Sequence, residues 1–259
     1  MYSIFKQYLK IAEKYKLPFI ATTPTRRANK ERVIQSKFNE RIIRDNVQFL
    51  QGIKRDANVN MFVGGLMGCR GDAYKATDIL SVEDAQEFHS WQVNLFKEAG
   101  VDFLFAGIMP ALFETIGMAK AMENANLPYI ISFMIRNDGR LIDGTTINDA
   151  ILSIDNATLQ KPICYMVNCV HPIILKQALS YPFNKTRLVK ERFHGIQANT
   201  SPLSPEELDN STDLKSSDSI SLASDMMDLY DYFIPKILGG CCGTDNTHIE
   251  EIAKRLDQI

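Results

Sequence analysis

The stretch that decides the reading of this chain lies near its C-terminus: Ile237-Leu238-Gly239-Gly240-Cys241-Cys242-Gly243-Thr244. It begins as an apolar, strand-like run and ends in a glycine-rich turn carrying two adjacent cysteines. Neighbouring cysteines reach disulfide geometry only with strain, because the bond needs separated Cα atoms and a specific dihedral angle. Two thiols on one turn can nevertheless meet at a single metal ion. A third cysteine, Cys169, also ends an apolar run, in Val167-Asn168-Cys169-Val170-His171-Pro172. Three thiolates with one position left open make the donor set of a catalytic rather than a closed structural zinc site. Cys69 and Cys164 lack such a context and read as small buried apolar residues.

Outward from these two motifs, apolar β-rich runs alternate with longer helical patterns. Strands are expected at 18–22, 60–64, 102–106, 129–135, 162–169, 193–198 and 233–240. Helices are expected at 3–16, 30–54, 82–99, 113–125, 146–155, 172–179, 219–231 and 248–256. The last opens with Thr247-His248-Ile249-Glu250, the spacing of a capping box. Near-continuous apolar strands suit a parallel sheet covered on both faces. Repeated β/α alternation with short connections argues for a (β/α) TIM-type barrel, whose strand ends would bring Cys169, Cys241 and Cys242 to one rim. The pattern yields seven strands and eight helices and opens on a helix, so one barrel strand is missing and two edges are left unpaired. From 199 to 218 turn formers dominate, and this stretch is expected to be a long rim loop.

Composition bounds the class without naming a reaction. The 259 residues, 45% hydrophobic and 23% charged, suit a globular protein with a large core. A net charge of −2 gives no basic footprint for nucleic acid. No apolar run is long enough to cross a membrane, and Met1-Tyr2-Ser3-Ile4-Phe5-Lys6 is not a signal peptide. Five cysteines, an odd number without framework spacing, fit a reducing, cytoplasmic setting.

The Gly239–Thr244 run followed by His248-Ile249, and Asn168-Cys169 followed by Pro172, together resemble the homocysteine S-methyltransferase family. Ala21-Thr22-Thr23-Pro24-Thr25 looks like that family's threonine-rich strand end, and Ile131-Ser132-Phe133 with Asp143-Gly144-Thr145 like its ISF…DGT segment. The resemblance implies one barrel domain over 1–259 that binds Zn²⁺ through Cys169, Cys241 and Cys242. It implies methyl transfer from a sulfonium or a quaternary or tertiary amine donor to a small thiol, homocysteine first, as in methionine biosynthesis. Coordination to zinc would deprotonate the acceptor thiol. Thr22, Thr23, Asn168, Gly239 and Gly240 are the rim residues expected to position or contact substrate. Among the histidines only His171 sits near a cysteine in sequence, and the resemblance does not use it as a ligand.

Two departures from the family pattern matter. Members begin with a strand carrying a DGG-type motif that this sequence lacks, so the missing strand is expected to be the first and the chain to be N-terminally truncated. Gly107 stands where an acid is expected before Pro110, while Glu114-Thr115 falls inside a helix. These departures keep open a zinc-binding relative that is catalytically weak or silent, or a methyltransferase for a different thiol. A thiol-redox role for the vicinal cysteines is a weaker alternative. An unpaired barrel edge leaves a homo-oligomer open.

Overall fold

The computed structural model describes residues 1–203, 207 and 216–258. Seven strands form one sheet: β1 (Phe19–Thr22), β2 (Met61–Met67), β3 (Phe103–Met109), β4 (Tyr129–Phe133), β5 (Cys164–Val170), β6 (Phe193–Ala198) and β7 (Ile237–Gly240). Each pairs in parallel with the next in chain order. Every residue of β3, β4 and β5 is buried, which is why these strands read as near-continuous apolar runs. The main core joins their side chains to the inner faces of the surrounding helices.

The strand count and the gap between first and last strand stand as read. Among the described residues β1 and β7 do not pair, and a cavity of about 580 Å³ lies between them. Helix α1 (Tyr2–Lys14) lines this gap with the last helix, and an ion pair between Lys14 and Glu250 ties the two together. The neighbours of the missing strand are therefore held in place without it.

The helix count needs correction. Ten α-helices are described where eight were expected: α1, α2 (Lys30–Gln35), α3 (Arg41–Arg55), α4 (Val82–Ala99), α5 (Leu112–Glu123), α6 (Ile147–Ala157), α7 (Pro172–Ser180), α8 (Arg187–Arg192), α9 (Ser219–Met227) and α10 (Asn246–Leu256). The expected 30–54 helix is two. Ser36 turns its hydroxyl back onto the Val33 carbonyl, and Asn39 accepts from the Arg41 amide, so short polar side chains end one helix and start the next. Helix α8 carries a single buried residue, Val189, and so left no apolar period to find. Helix α10 is capped by Asp245 with His248 rather than by Thr247 with Glu250. Its carboxylate accepts from the Thr247 and His248 amides, while His248 accepts from the Asp245 amide. Strands β2 and β3 run three residues past their expected ends, to Met67 and Met109. No described helix is long and apolar enough to cross a membrane. Most of the expected rim loop, 204–206 and 208–215, lies outside the described residues.

Candidate metal centre

Strand β5 ends in a bulge. Register with β6 shifts between Asn168 and Val170, and Cys169 takes a left-handed backbone with φ of 63°. Such a conformation in a non-glycine residue costs about 1–3 kcal/mol and persists only where the surroundings impose it. Asn168 imposes it here. Its Oδ1 accepts from the Ile108 amide at 2.9 Å and the Ser132 hydroxyl at 2.7 Å, while its Nδ2 donates to Gln197 at 3.4 Å. One buried amide thus ties β5 to β3, β4 and β6 and fixes the direction of the following thiol.

The second arm comes from the turn after β7. Cys241 donates its amide to the Ala198 carbonyl at 2.7 Å, and Cys242 accepts from the Thr200 amide at 3.1 Å. Gly243, with φ of 79°, closes the turn where any Cβ would strike the Thr200 hydroxyl. Both arms therefore lean on the end of β6. The ends of the long loop are pinned at the same place, since Ser217 donates its amide and hydroxyl to the Thr200 carbonyl.

The three sulfur atoms lie within 4.8 Å of one another. Cys169 Sγ is 3.3 Å from Cys242 Sγ, and Cys241 Sγ is 4.0 Å from Cys242 Sγ. No disulfide is formed; all five cysteines are free thiols. Tetrahedral zinc with Zn–S bonds of about 2.3 Å places its sulfurs roughly 3.8 Å apart, so the donor set fits one such ion with a position to spare. Electrostatics point the same way. Hydrogen bonds from Cys241 and Cys242 lower the Cys169 thiol to about 3, making it the thiolate of the group. The Cys241 and Cys242 thiols are pushed up, first by their hydrogen bonds to Cys169. Ionising all three together needs a cation among them.

Tyr74, which is not among the residues expected from the sequence, donates its hydroxyl to Cys169 Sγ at 3.3 Å. Its backbone carbonyl accepts from the Arg136 guanidinium. Nothing local marks it, because it reaches the site only when the loop after β2 folds over the rim. Cys69 and Cys164 stay outside the cluster, with thiols pushed up to about 12 and about 11 by burial. His171 is no part of the cluster either: its Nδ1 caps α7 by accepting from the Ile173 amide.

The remaining expected residues divide into two groups. Thr22, Gly239 and Gly240 line the cavity between β1 and β7 together with Cys241. Thr23 is fully buried and already engaged, accepting from the Leu66 amide and bonding the Thr25 hydroxyl. Gly107 supplies no carboxylate, and a Cβ there would come within 2.8 Å of Leu66 Cδ1, so that side-chain end would have to shift to admit an acid. Glu114 is buried and turned to other work: its Oε1 accepts from the Arg70 amide at 2.6 Å and meets His89 Nε2 at 3.0 Å.

The homocysteine S-methyltransferase family model matches residues 1–256, so the chain belongs to that family. Among curated relatives it is 24% identical over 193 residues to a selenocysteine Se-methyltransferase of Brassica oleracea var. italica, covering 69% of this chain and 50% of that protein. It is 23% identical over 181 residues to homocysteine S-methyltransferase 2 of Arabidopsis thaliana, covering 69% of this chain and 52% of that protein. The matches thus span about half the length of these relatives. The metallated form of the homocysteine methyltransferase MmuM from Escherichia coli superposes with a TM-score of 0.74 at 19% identity, covering 96% of this chain and 83% of that one. That likeness carries the barrel fold and the loss of one strand from it.

Proposed function

We propose that this chain transfers a methyl group from a sulfonium or a quaternary or tertiary amine donor to a small thiol, homocysteine being the first acceptor to test. One observation supports this above the others: Cys169, Cys241 and Cys242 converge at the strand-end rim while the other two cysteines are buried elsewhere. These three thiolates would hold Zn²⁺, which when bound would supply the positive charge that favours the ionised form of a substrate thiol at neutral pH. The chain's own residues do the rest. Asn168 holds the Cys169 loop in its strained conformation, Gly243 lets the paired cysteines turn inward, and Tyr74 donates to the Cys169 sulfur. Holding acceptor and donor in line is what makes such a transfer fast, since well-oriented reactants reach effective molarities of ~10⁵ M or more.

The open cavity between β1 and β7 favours a second outcome for this chain, a zinc-binding relative that is catalytically weak or silent. The acceptor would then lie beside Thr22, Gly239 and Cys241 with no strand to close over it. A panel of thiols crossed with methyl donors, read by mass spectrometry of the thioether product, separates the two. Metal-dependent product that disappears in Cys169→Ser supports methyl transfer. Zinc-replete protein that methylates no thiol supports the weak or silent relative.

A further inference from the structure

Beside Tyr74 lies a second cavity, of about 450 Å³. Arg26, Arg27 and Arg32 line it together with Cys69, Asp72, Ala73, Tyr74 and Asp78. Three like charges around one space are unfavourable unless something anionic joins them, and the cavity's own acids do not. Asp72 accepts from the Tyr74 amide, and among the described residues no ion pair joins Arg26, Arg27 or Arg32 to Asp72 or Asp78. Arg70, the fourth arginine nearby, is already paired with Glu31. Arg32 is held by donating to the Arg70 carbonyl, and burial followed by the charge of Arg27 pulls its guanidinium down. The placement of Arg26 is built into the backbone. It lies against Gly68, where a Cβ would come within 2.7 Å of its Cγ. The cavity also adjoins the cysteines, because Tyr74 lines it and reaches Cys169 Sγ at 3.3 Å.

We propose that Arg26, Arg27 and Arg32 form the subsite for the carboxylate end of the thiol acceptor, which lies along Tyr74 with its sulfur toward Cys169. This rests on the methyl-transfer reading above and names the class of acceptor: a short thiol recognised by an acidic far end. Guanidinium groups suit that task, since their planar forks match a carboxylate with two parallel hydrogen bonds. Two positions that could have supplied a carboxylate for an ammonium group do not: position 107 is a glycine, and the Glu114 carboxylate is engaged by His89 and the Arg70 amide.

The test uses thioethers, which carry no free thiol and so report the far end alone. Calorimetric titration of the full chain with 3-(methylthio)propanoate, 2-(methylthio)ethanol and 2-(methylthio)ethylamine should show the acid binding at least about tenfold more tightly than the other two. The double change Arg26→Gln with Arg32→Gln should erase that preference without altering the thermal midpoint. If the double variant does not fold, the exposed Arg27→Gln should still reduce it about threefold. Equal affinity for all three compounds, or a preference that survives these substitutions, overturns the subsite. A second arm keeps the two ideas apart. Cobalt-loaded protein titrated with 3-mercaptopropionate and with 2-mercaptoethanol reads sulfur binding in the visible spectrum. Protein that binds the propanoate but takes up no metal would refute the methyl-transfer reading and leave the anion subsite standing. Protein that takes up metal and binds both thiols equally would do the reverse.

Discussion

The hydroxyl of Tyr74 stands 3.3 Å from the sulfur of Cys169, so the most ionised thiol of the cluster receives a hydrogen bond from a loop on the other side of the rim. That bond draws charge from the thiolate and fixes the loop after β2 relative to β5. In metal sites, partners of this kind typically change affinity by 10–100-fold when removed. Tyr74→Phe is therefore expected to weaken metal binding about tenfold. It should also shift the sulfur-to-metal charge-transfer band of cobalt-substituted protein to lower energy, because the sulfur becomes more electron-rich. An unchanged band would mean that the hydroxyl plays no part once metal is bound.

The three cysteines proposed to hold the metal give the plainest test. Purified reduced protein should hold zinc at about one ion per chain, for the donor set of three thiolates and an open position. Cys169→Ser, Cys241→Ser and Cys242→Ser should each abolish stoichiometric binding in a colorimetric metal-release assay. Cys69→Ser and Cys164→Ser should retain the metal, since both thiols are buried away from the cluster. Equal loss from all five would point to unfolding instead.

Glu114 is a structural acid. Removing its carboxylate leaves the Arg70 amide without a partner and strips buried His89 of its contact. An unmet buried polar group costs about 1–3 kcal/mol, so Glu114→Ala should lower stability by roughly 3 kcal/mol in urea denaturation. Glu114→Gln, which keeps an acceptor oxygen, should recover part of the loss.

A second buried network lies at the opposite end of the barrel. Asp155 accepts from Arg192 Nε at 2.9 Å, from a terminal nitrogen of the same guanidinium at 2.9 Å and from the Tyr165 hydroxyl at 2.8 Å. Breaking a buried pair from one side strands the other charge, at a cost of about 3–5 kcal/mol. Because the Arg192 side chain keeps 22% of its exposure, Asp155→Ala should fall near the lower end of that range. Metal content should be unaffected, because no residue of this network lies in the cysteine cluster.

Asp245 gives a pH dependence. Hydrogen bonds from Thr247 and His248 hold its carboxyl down to about 2. A carboxyl depressed in the folded state stabilises above its unfolded value near 3.9, and the contribution is lost as pH falls through about 2. The group is exposed, so solvent screens most of its electrostatic effect and the cap itself sets the size. Asp245→Ala should cost about 1 kcal/mol at pH 7, and the difference from wild type should shrink in acid.

The local sequence of this chain was enough for its barrel and for the three cysteines that the fold brings together. Parallel strands buried on both faces leave near-continuous apolar runs, so all seven were found, although their ends were misjudged where β2 and β3 continue past their glycines. Cys169, Cys241 and Cys242 were legible because each follows a strand within a motif, and a barrel sends strand ends to one rim. Polar breaks and short helices were not legible. The Ser36 and Asn39 interruption and α8 depend on single side-chain hydrogen bonds that leave no period. Only the tertiary structure gave Tyr74 a sulfur to bond, turned Glu114 toward His89, and gathered Arg26, Arg27 and Arg32 around one cavity. Those contacts join loops whose separation along the chain is unrelated to their separation in space. The physical reason is that strand and ligand signals repeat over a few residues, whereas the surroundings of a site are fixed only when the sheet curls and its loops meet.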